Sequence, residues 1–286
     1  MADPLEMSSW TSELIRNFWE NSGKNSLNTP SGEKAWDEPL TGTARGDDPL
    51  FSRIKEDLGD FYWTPQEAFA MAFPDAPAPA GELSILVWVL PQTEKTRLDQ
   101  RAETRFAAER WARSRDFGEK FNCALRLHMA RTLTEAGFPA VAPERLPGFD
   151  YRRSDRFGLA SNWSERHTAH IAGLGTFGLS DGLITPRGKA VRIGSVVVRH
   201  DFPTTPRPYS SHLEWCLWYA KGTCGACMRR CPAEAIDASG HDKDACHTYI
   251  REVTAPEARH RFETEATPCG LCQVKIPCEA GIPAGL

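Results

Sequence analysis

Cys224-Gly-Ala-Cys227-Met-Arg-Arg-Cys231-Pro232 is the densest part of the stretch that decides how this chain is read, Cys216 to Cys278. Eight of the nine cysteines lie in that stretch, at 216, 224, 227, 231, 246, 269, 272 and 278. Eight soft thiolates are the ligand count of two four-cysteine metal centres. Paired C-x2-C elements also hold structural zinc, four tetrahedral thiolates to an ion. Disulfides are a third reading, but they need an oxidising compartment. The N-terminus, Met-Ala-Asp-Pro-Leu-Glu, has neither the basic nor the apolar region of a secretion signal. The proline after Cys231 and the interleaved order of the cysteines favour iron–sulfur clusters over both.

Bacterial-type ferredoxins carry C-x2-C-x2-C-x3-C-P, in which the fourth cysteine ligates the other of two clusters. The run here matches the last three of those cysteines and the proline. The missing first ligand would stand at Lys221, and Cys216 is its nearest replacement. If the outer ligands are exchanged between clusters in the same way, one [4Fe–4S] cluster takes Cys231, Cys246, Cys269 and Cys272. The other takes Cys224, Cys227, Cys278 and Cys216.

The remainder is ordinary for a globular protein: 286 residues, 41% hydrophobic and 25% charged, enough for one large or two modest domains. A net charge of −4 gives no general attraction to nucleic acid or anionic lipid. The longest apolar run, Leu83 to Leu90, is too short to span a bilayer. The expectation is a soluble, cytoplasmic protein with reduced thiols.

Along the chain, residues 8–20 read as an amphipathic helix capped by Ser8 or Ser9, followed by an irregular stretch to Asp48. Pro49–Leu58 can start a second helix. Thr64-Pro65-Gln66-Glu67 is a capping box with proline at the first helical position, opening a helix over 65–73. Leu83–Leu90 is a buried strand ended by Pro91. Helices are expected near 98–114 and 116–136, with Phe117, Phe121, Leu125, Met129 and Leu133 forming one apolar face of the second. Cys123 lies beside that face and reads as a small buried hydrophobe. A short strand at 139–142, a helix over 164–172, a short strand at 183–185 and a strong strand over Val191–His200 follow. The expected fold class is α+β, with an α/β domain over 1–200 and a ferredoxin-like domain over 201–286. The proline-rich segment 201–211 would link the two.

Gly173-Leu-Gly175-Thr-Phe-Gly178 fits G-x-G-x-x-G, but a dinucleotide fingerprint follows a strand and opens a helix. Here it follows a helix and precedes a strand, so a Rossmann site is rejected. Taken together with Ala172–Val197, Thr223–Ile236, Ala245–Ile250 and Cys269–Gln273, the chain resembles the epoxyqueuosine reductases and reductive dehalogenases, which are cobalamin-dependent iron–sulfur enzymes. The resemblance covers about residues 150–286. It implies a nitroreductase-like domain holding base-off cobalamin, with Gly173, Gly175, Gly178, Ser180, Gly182, Leu183, Ile184 and Thr185 around the corrin or its nucleotide tail. Beside it would sit a ferredoxin-like domain feeding electrons to the cobalt. No D-x-H-x-x-G motif is present, so no histidine ligand to cobalt is expected.

Some positions depart from the family pattern. Leu159 stands where the resemblance places the aspartate proton donor of epoxyqueuosine reductases. The C-terminal helical-repeat region of many tRNA-acting members is not expected after Cys278. The last ligand of the second motif is spaced x5 rather than x3. Tyr151, Asp155, His167 and His170 are the acids near the glycine segment, and His167 and Asp155 are the candidates for proton delivery. The sequence reading is an oxidoreductase with two [4Fe–4S] clusters and cobalamin, reducing a small organic substrate with electrons from a ferredoxin- or flavodoxin-type donor. Nucleic acid is an unlikely partner on charge, and no membrane contact is expected. The alternatives are an epoxyqueuosine reductase acting on tRNA and a cobalamin-free two-cluster electron carrier.

Overall fold

The structure is a computed structural model that describes residues 4–286. In chain order its elements are α1 (Pro4–Asn21), β1 (Leu40–Arg45), α2 (Pro49–Leu58), α3 (Pro65–Ala72), β2 (Leu83–Pro91), α4 (Glu94–Ala102), α5 (Glu109–Glu135) and β3 (Ala140–Val141). These are followed by β4 (Tyr151–Ser154), β5 (Gly158–Ser161), α6 (Glu165–Ile171), β6 (Thr176–Phe177), β7 (Leu183–Ile184) and β8 (Val191–Arg199). The C-terminal part adds α7 (Leu217–Lys221), α8 (Ala226–Arg230), β9 (Ile236–Asp237), β10 (Gly240–His241), α9 (Lys243–Tyr249) and α10 (Ala255–Phe262).

The apolar run at 83–91 forms the middle of an antiparallel sheet in the order β1-β2-β8-β3, buried along its full length. Successive side chains point to opposite faces, so a strand with helices on both sides must be apolar at every position. Ile85, Val87 and Val89 meet Phe51, Phe69, Trp163 and Ile171, which come from α2, α3, the loop just ahead of the α6 cap Ser164, and α6 itself. Leu86, Trp88 and Leu90 meet Ile15 of α1 and Phe121, Leu125, Met129 and Leu133 of α5. The result is an α+β layered fold, helix–sheet–helix. Each face is pinned by a buried tryptophan: Trp88 Nε1 donates to Asn122 Oδ1 (2.8 Å), and Trp163 Nε1 donates to Ser195 Oγ (3.1 Å).

Several boundaries differ from the sequence reading. α1 begins at Pro4, a turn before the expected cap, so Ser8 and Ser9 fall inside the helix; proline is tolerated in a first turn, where its missing N–H has no partner to lose. The stretch expected to be irregular up to Asp48 contains β1. Its short Leu-Thr-Gly-Thr-Ala-Arg run is held by Gly42, where a side chain would meet the Ala172 carbonyl, and by two bonds between Thr43 and Thr205. The expected helix break at 115 lies instead at 103–108. Ser114 and Asp116, which could cap a new helix, bond elsewhere: Ser114 Oγ accepts from Gln92 Nε2, and Asp116 Oδ2 from the Glu265 amide. Phe117 lies at the edge of the apolar face, near the cations of Arg113 and Lys120, while Gly118 faces the core against Trp36. Cys123 is only half-buried and lines an open cleft with Arg115 and Arg145, contrary to its expected place in the core. The capping box at Thr64–Glu67 is formed as read.

Residues 201–286 lie against 1–200 through a small apolar core of Trp111, Ala112, Ala190, Ala258 and Val274. Gln100 Nε2 donates to the Cys269 carbonyl (2.7 Å), Tyr249 Oη to the Arg105 carbonyl (2.6 Å), and Arg230 Nη1 to the Glu103 carbonyl (2.9 Å). Glu279, buried, accepts from Arg101 at 2.8 Å and from the Lys275 amide at 2.6 Å, with Arg97 at 3.6 Å. No helix among the described residues is long and apolar enough to cross a membrane.

Candidate metal centre

Short elements and loops bring the eight C-terminal cysteines together. Cys216 precedes α7, Cys224 and Cys227 flank the left-handed Gly225 at the start of α8, Cys231 ends α8, and Cys246 is on α9. Cys269 and Cys272 straddle Gly270, also left-handed, whose Cα lies so close to the Trp111 ring that a side chain there would sit 2.0 Å from it. All nine cysteines are free thiols.

The thiols fall into two quartets. Cys216, Cys224, Cys227 and Cys278 line one small cavity together with Trp215, Trp218 and Pro277. Cys278 feels Cys216, Cys227 and Cys224, and Cys227 feels Cys216 and Cys224. Cys246 and Cys269 each feel Cys272 and Cys231, so Cys231, Cys246, Cys269 and Cys272 form the second set. Burial first, then the neighbouring thiolates, pushes Cys246 and Cys269 up to about 12 and Cys278 to about 11. Such thiols keep their protons until a cation displaces them. Among the described residues no three His, Cys, Asp or Glu side chains converge closely enough for a single ion. A tetrahedral zinc site would need sulfurs within about 4 Å of one another. Four thiols spread around a cavity suit a larger group. An all-cysteine donor set of four fits a [4Fe–4S] cluster in each quartet.

Lys189 stands between the sets. It is 3% exposed and lines the first cavity, and its amide donates to the Cys278 carbonyl (2.9 Å). Burial works against its charge, but the thiolates of Cys278, Cys272, Cys227 and Cys216 overcome that and raise its pKa.

The glycine segment assigned to cobalamin is occupied by protein. A Cβ at Gly173 would lie 2.5 Å from the Pro206 carbonyl oxygen, and one at Gly175 would lie 2.4 Å from that of Ile184. At Gly182 it would lie 2.4 Å from Lys189 Cε, and at Gly178 3.2 Å from Lys189 Nζ. Ser180, Leu183, Ile184 and Thr185 are buried by protein alone. Leu179 and Ile184 line the first thiol cavity. Ser180 Oγ is buried and lies beside the Cys272 thiol. These residues fit the wall of the thiol sites; they do not fit a cradle for a corrin.

The two proton-donor candidates are not together on one surface. Asp155 is exposed in the turn between β4 and β5. His167 is on α6, its Nδ1 2.8 Å from Ser164 Oγ and its ring 5.0 Å from Phe177. Burial, then Arg166, pushes His167 down, so at neutral pH its imidazole is held in the neutral form. His170 is buried, stacked on Tyr209, with Nδ1 on the Gly175 carbonyl (2.8 Å). Sequence reasoning missed a cationic group beside the second quartet. Arg192, then burial, holds Arg115 down to about 9, Arg166 also bears on it, and Arg166 bears in turn on Cys246. Arginines scattered over α5, α6 and β8 leave no spacing signal in the sequence.

No family model and no curated protein matches the sequence. Solved structures do match in fold. One is a selenomethionine-labelled epoxyqueuosine reductase, 17% identical over 99% of this chain and 68% of that one, with a TM-score of 0.50. Another is an epoxyqueuosine reductase with a tRNA-Tyr epoxyqueuosine-modified stem loop, 17% identical over 98% and 67%, TM-score 0.51. A third is a catabolic reductive dehalogenase in complex with 3-bromo-4-hydroxybenzoic acid, 16% identical over 96% of this chain but 37% of that one, TM-score 0.50. This chain has the α+β fold shared by those reductases.

Proposed function

We propose that this protein is an iron–sulfur oxidoreductase that holds two [4Fe–4S] clusters and passes single electrons through them to a small organic substrate. The observation that supports this reading is that Cys216, Cys224, Cys227 and Cys278 line one cavity while Cys269 feels Cys272, Cys246 and Cys231, as two quartets with ligands exchanged between the sequence motifs would require. Cys216, Cys224, Cys227 and Cys278 would hold one cluster; Cys231, Cys246, Cys269 and Cys272 would hold the other. Bound there, the clusters supply reversible one-electron transfer. The chain supplies the thiolates, lines the first site with Trp215 and Trp218, and offers Arg166 beside Cys246 of the second, a setting for an anionic substrate. A ferredoxin- or flavodoxin-type protein is the proposed donor. No step is assigned to cobalamin, because the residues expected to cradle it are packed against protein.

Iron, acid-labile sulfide, zinc and cobalt content after anaerobic reconstitution in the presence of cobalamin tests this. About eight irons and eight sulfides per chain are expected, from two four-iron clusters, with no retained cobalt. Zinc without sulfide would sink the reading. The fold neighbour solved with a tRNA stem loop supports a second reading, action on tRNA. A stem loop that binds at low salt and shifts the cluster spectra would favour it.

A further inference from the structure

We propose that Lys189, a buried cation wedged between the two thiol quartets, raises the reduction potentials of both clusters. The inference rests on the iron–sulfur reading above.

A buried ammonium is costly unless an anion faces it. The groups facing Lys189 are cysteines, Cys278, Cys227 and Cys216 of one quartet and Cys272 of the other. Its position is enforced by the backbone. Gly188 is left-handed (φ +85°), and a Cβ there would lie 2.1 Å from the Glu279 carbonyl oxygen, so the residues before and at Lys189 are pressed onto the Cys278–Glu279 turn. Beyond Cα the side chain runs over bare glycine. Gly182 leaves room for Cε and Gly178 for Nζ, and a methyl group at Gly182 would collide with the chain at 2.4 Å. Two glycines of the segment thus make the channel through which the lysine reaches the thiols. The glycines that read as a ligand cradle in the sequence act here as a groove for this side chain.

The electrostatic consequence has a fixed sign. A [4Fe–4S] cluster on four thiolates is a net anion and gains one negative charge on reduction, with the electron coming from the external donor and no proton moving. A nearby positive charge in a water-poor site stabilises the reduced form more than the oxidised form. Lys189 faces both quartets, so both couples rise together. The same charge weakens the repulsion between two reduced clusters, which favours storing one electron on each.

The test is an anaerobic redox titration of the reconstituted protein, followed by electron paramagnetic resonance, for the unsubstituted chain, Lys189→Met and Lys189→Arg. In Lys189→Met the reduction equilibrium of each cluster is expected to fall at least tenfold, a midpoint about 59 mV more negative for a one-electron couple. Lys189→Arg should stay within half that shift. Full iron and sulfide with unmoved midpoints in Lys189→Met would overturn the proposal and leave the iron–sulfur reading standing. Equal shifts in both variants would also overturn it, since they would mark repacking. If Lys189→Met loses its iron, Lys189→Gln is titrated in its place. Loss from both neutral variants with retention in Lys189→Arg would support charge as the cause, and loss from all three would overturn it. Zinc in place of iron and sulfide in the unsubstituted chain would fail the underlying reading, a separate and recognisable result.

Discussion

Glu165 shows what a single buried carboxylate does in this fold. Its Oε1 accepts from Arg126 Nε (3.1 Å) and its Oε2 from Ser195 Oγ (2.6 Å). Arg126 is also paired with Glu119 (2.9 Å) and Glu144, and Arg192 shares Glu119. Three carboxylates therefore face two guanidiniums, so one proton is retained. Burial is the largest influence on Glu165, opposed by Arg126 and reinforced by Glu144, and its pKa is raised to about 8. Between its ordinary value and about 8 the folded chain holds a proton that the unfolded chain has lost. Stability therefore falls as pH rises through that window, by up to about 1.4 kcal/mol per unit. Glu119, lowered to about 2 chiefly by Arg192 and Arg126 against its desolvation, acts in the opposite sense, but below the window. Glu165→Gln copies the protonated form and leaves Glu119 and Glu144 on Arg126. Thermal midpoints at pH 6 and pH 8 should converge in this variant and differ in the unsubstituted chain. An equal drop in both would show that another group carries the pH dependence. None of this was legible in the sequence, because the partners at 119, 126, 144, 165 and 192 sit on different elements.

At the scale of elements, the sequence revealed periodicity and motif spacing well and long-range anchoring poorly. The β2 run, the Thr64 capping box and the α5 face follow from local pattern. β1 was missed because its hold comes from Thr205 and from the Ala172 carbonyl against Gly42, neither of which is near in sequence. The two proposed thiol quartets are a reading the sequence offers because the candidate ligands are one residue type at family spacing. Lys189 and Glu279, which hold the walls between them, were not legible there. Glu279 joins the Cys278 loop to α4 through Arg101, with Arg97 beside it. Removing one partner of a buried ion pair leaves the other charges uncompensated, at a cost of about 3–5 kcal/mol. Arg101 is half-exposed, so Glu279→Ala is expected nearer the lower end, about 3 kcal/mol. Its thermal midpoint should fall, and the Cys278 quartet should lose iron before the other. A variant with unchanged stability and eight retained irons would show that the loop is held by Lys189 and the Cys278 carbonyl without the glutamate.

For the molecule as a whole, the consequence of the proposed ligand exchange is that the quartets would not be consecutive in the chain. Cys231, four residues after Cys227, would join Cys246, Cys269 and Cys272, while Cys278 would return to the set begun at Cys216. Each centre would then close a loop of chain around the other, and residues 216–278 would not assemble one site without positioning the ligands of its neighbour. The same stretch is fastened to residues 100–111 by Gln100, Tyr249 and Arg230, so the sheet domain and both centres share one framework. Serine substitutions separate this arrangement from a sequential one. With exchanged ligands, Cys231→Ser and Cys269→Ser should perturb the same cluster signal, and Cys227→Ser and Cys278→Ser the other, each pair leaving about four well-bound irons, the content of a single cluster. With sequential ligation, Cys231→Ser would instead group with Cys227→Ser. Paramagnetic resonance spectra of the four reduced variants, compared pairwise, give the grouping directly, and a sequential grouping would overturn the two-quartet assignment on which the electron path is built.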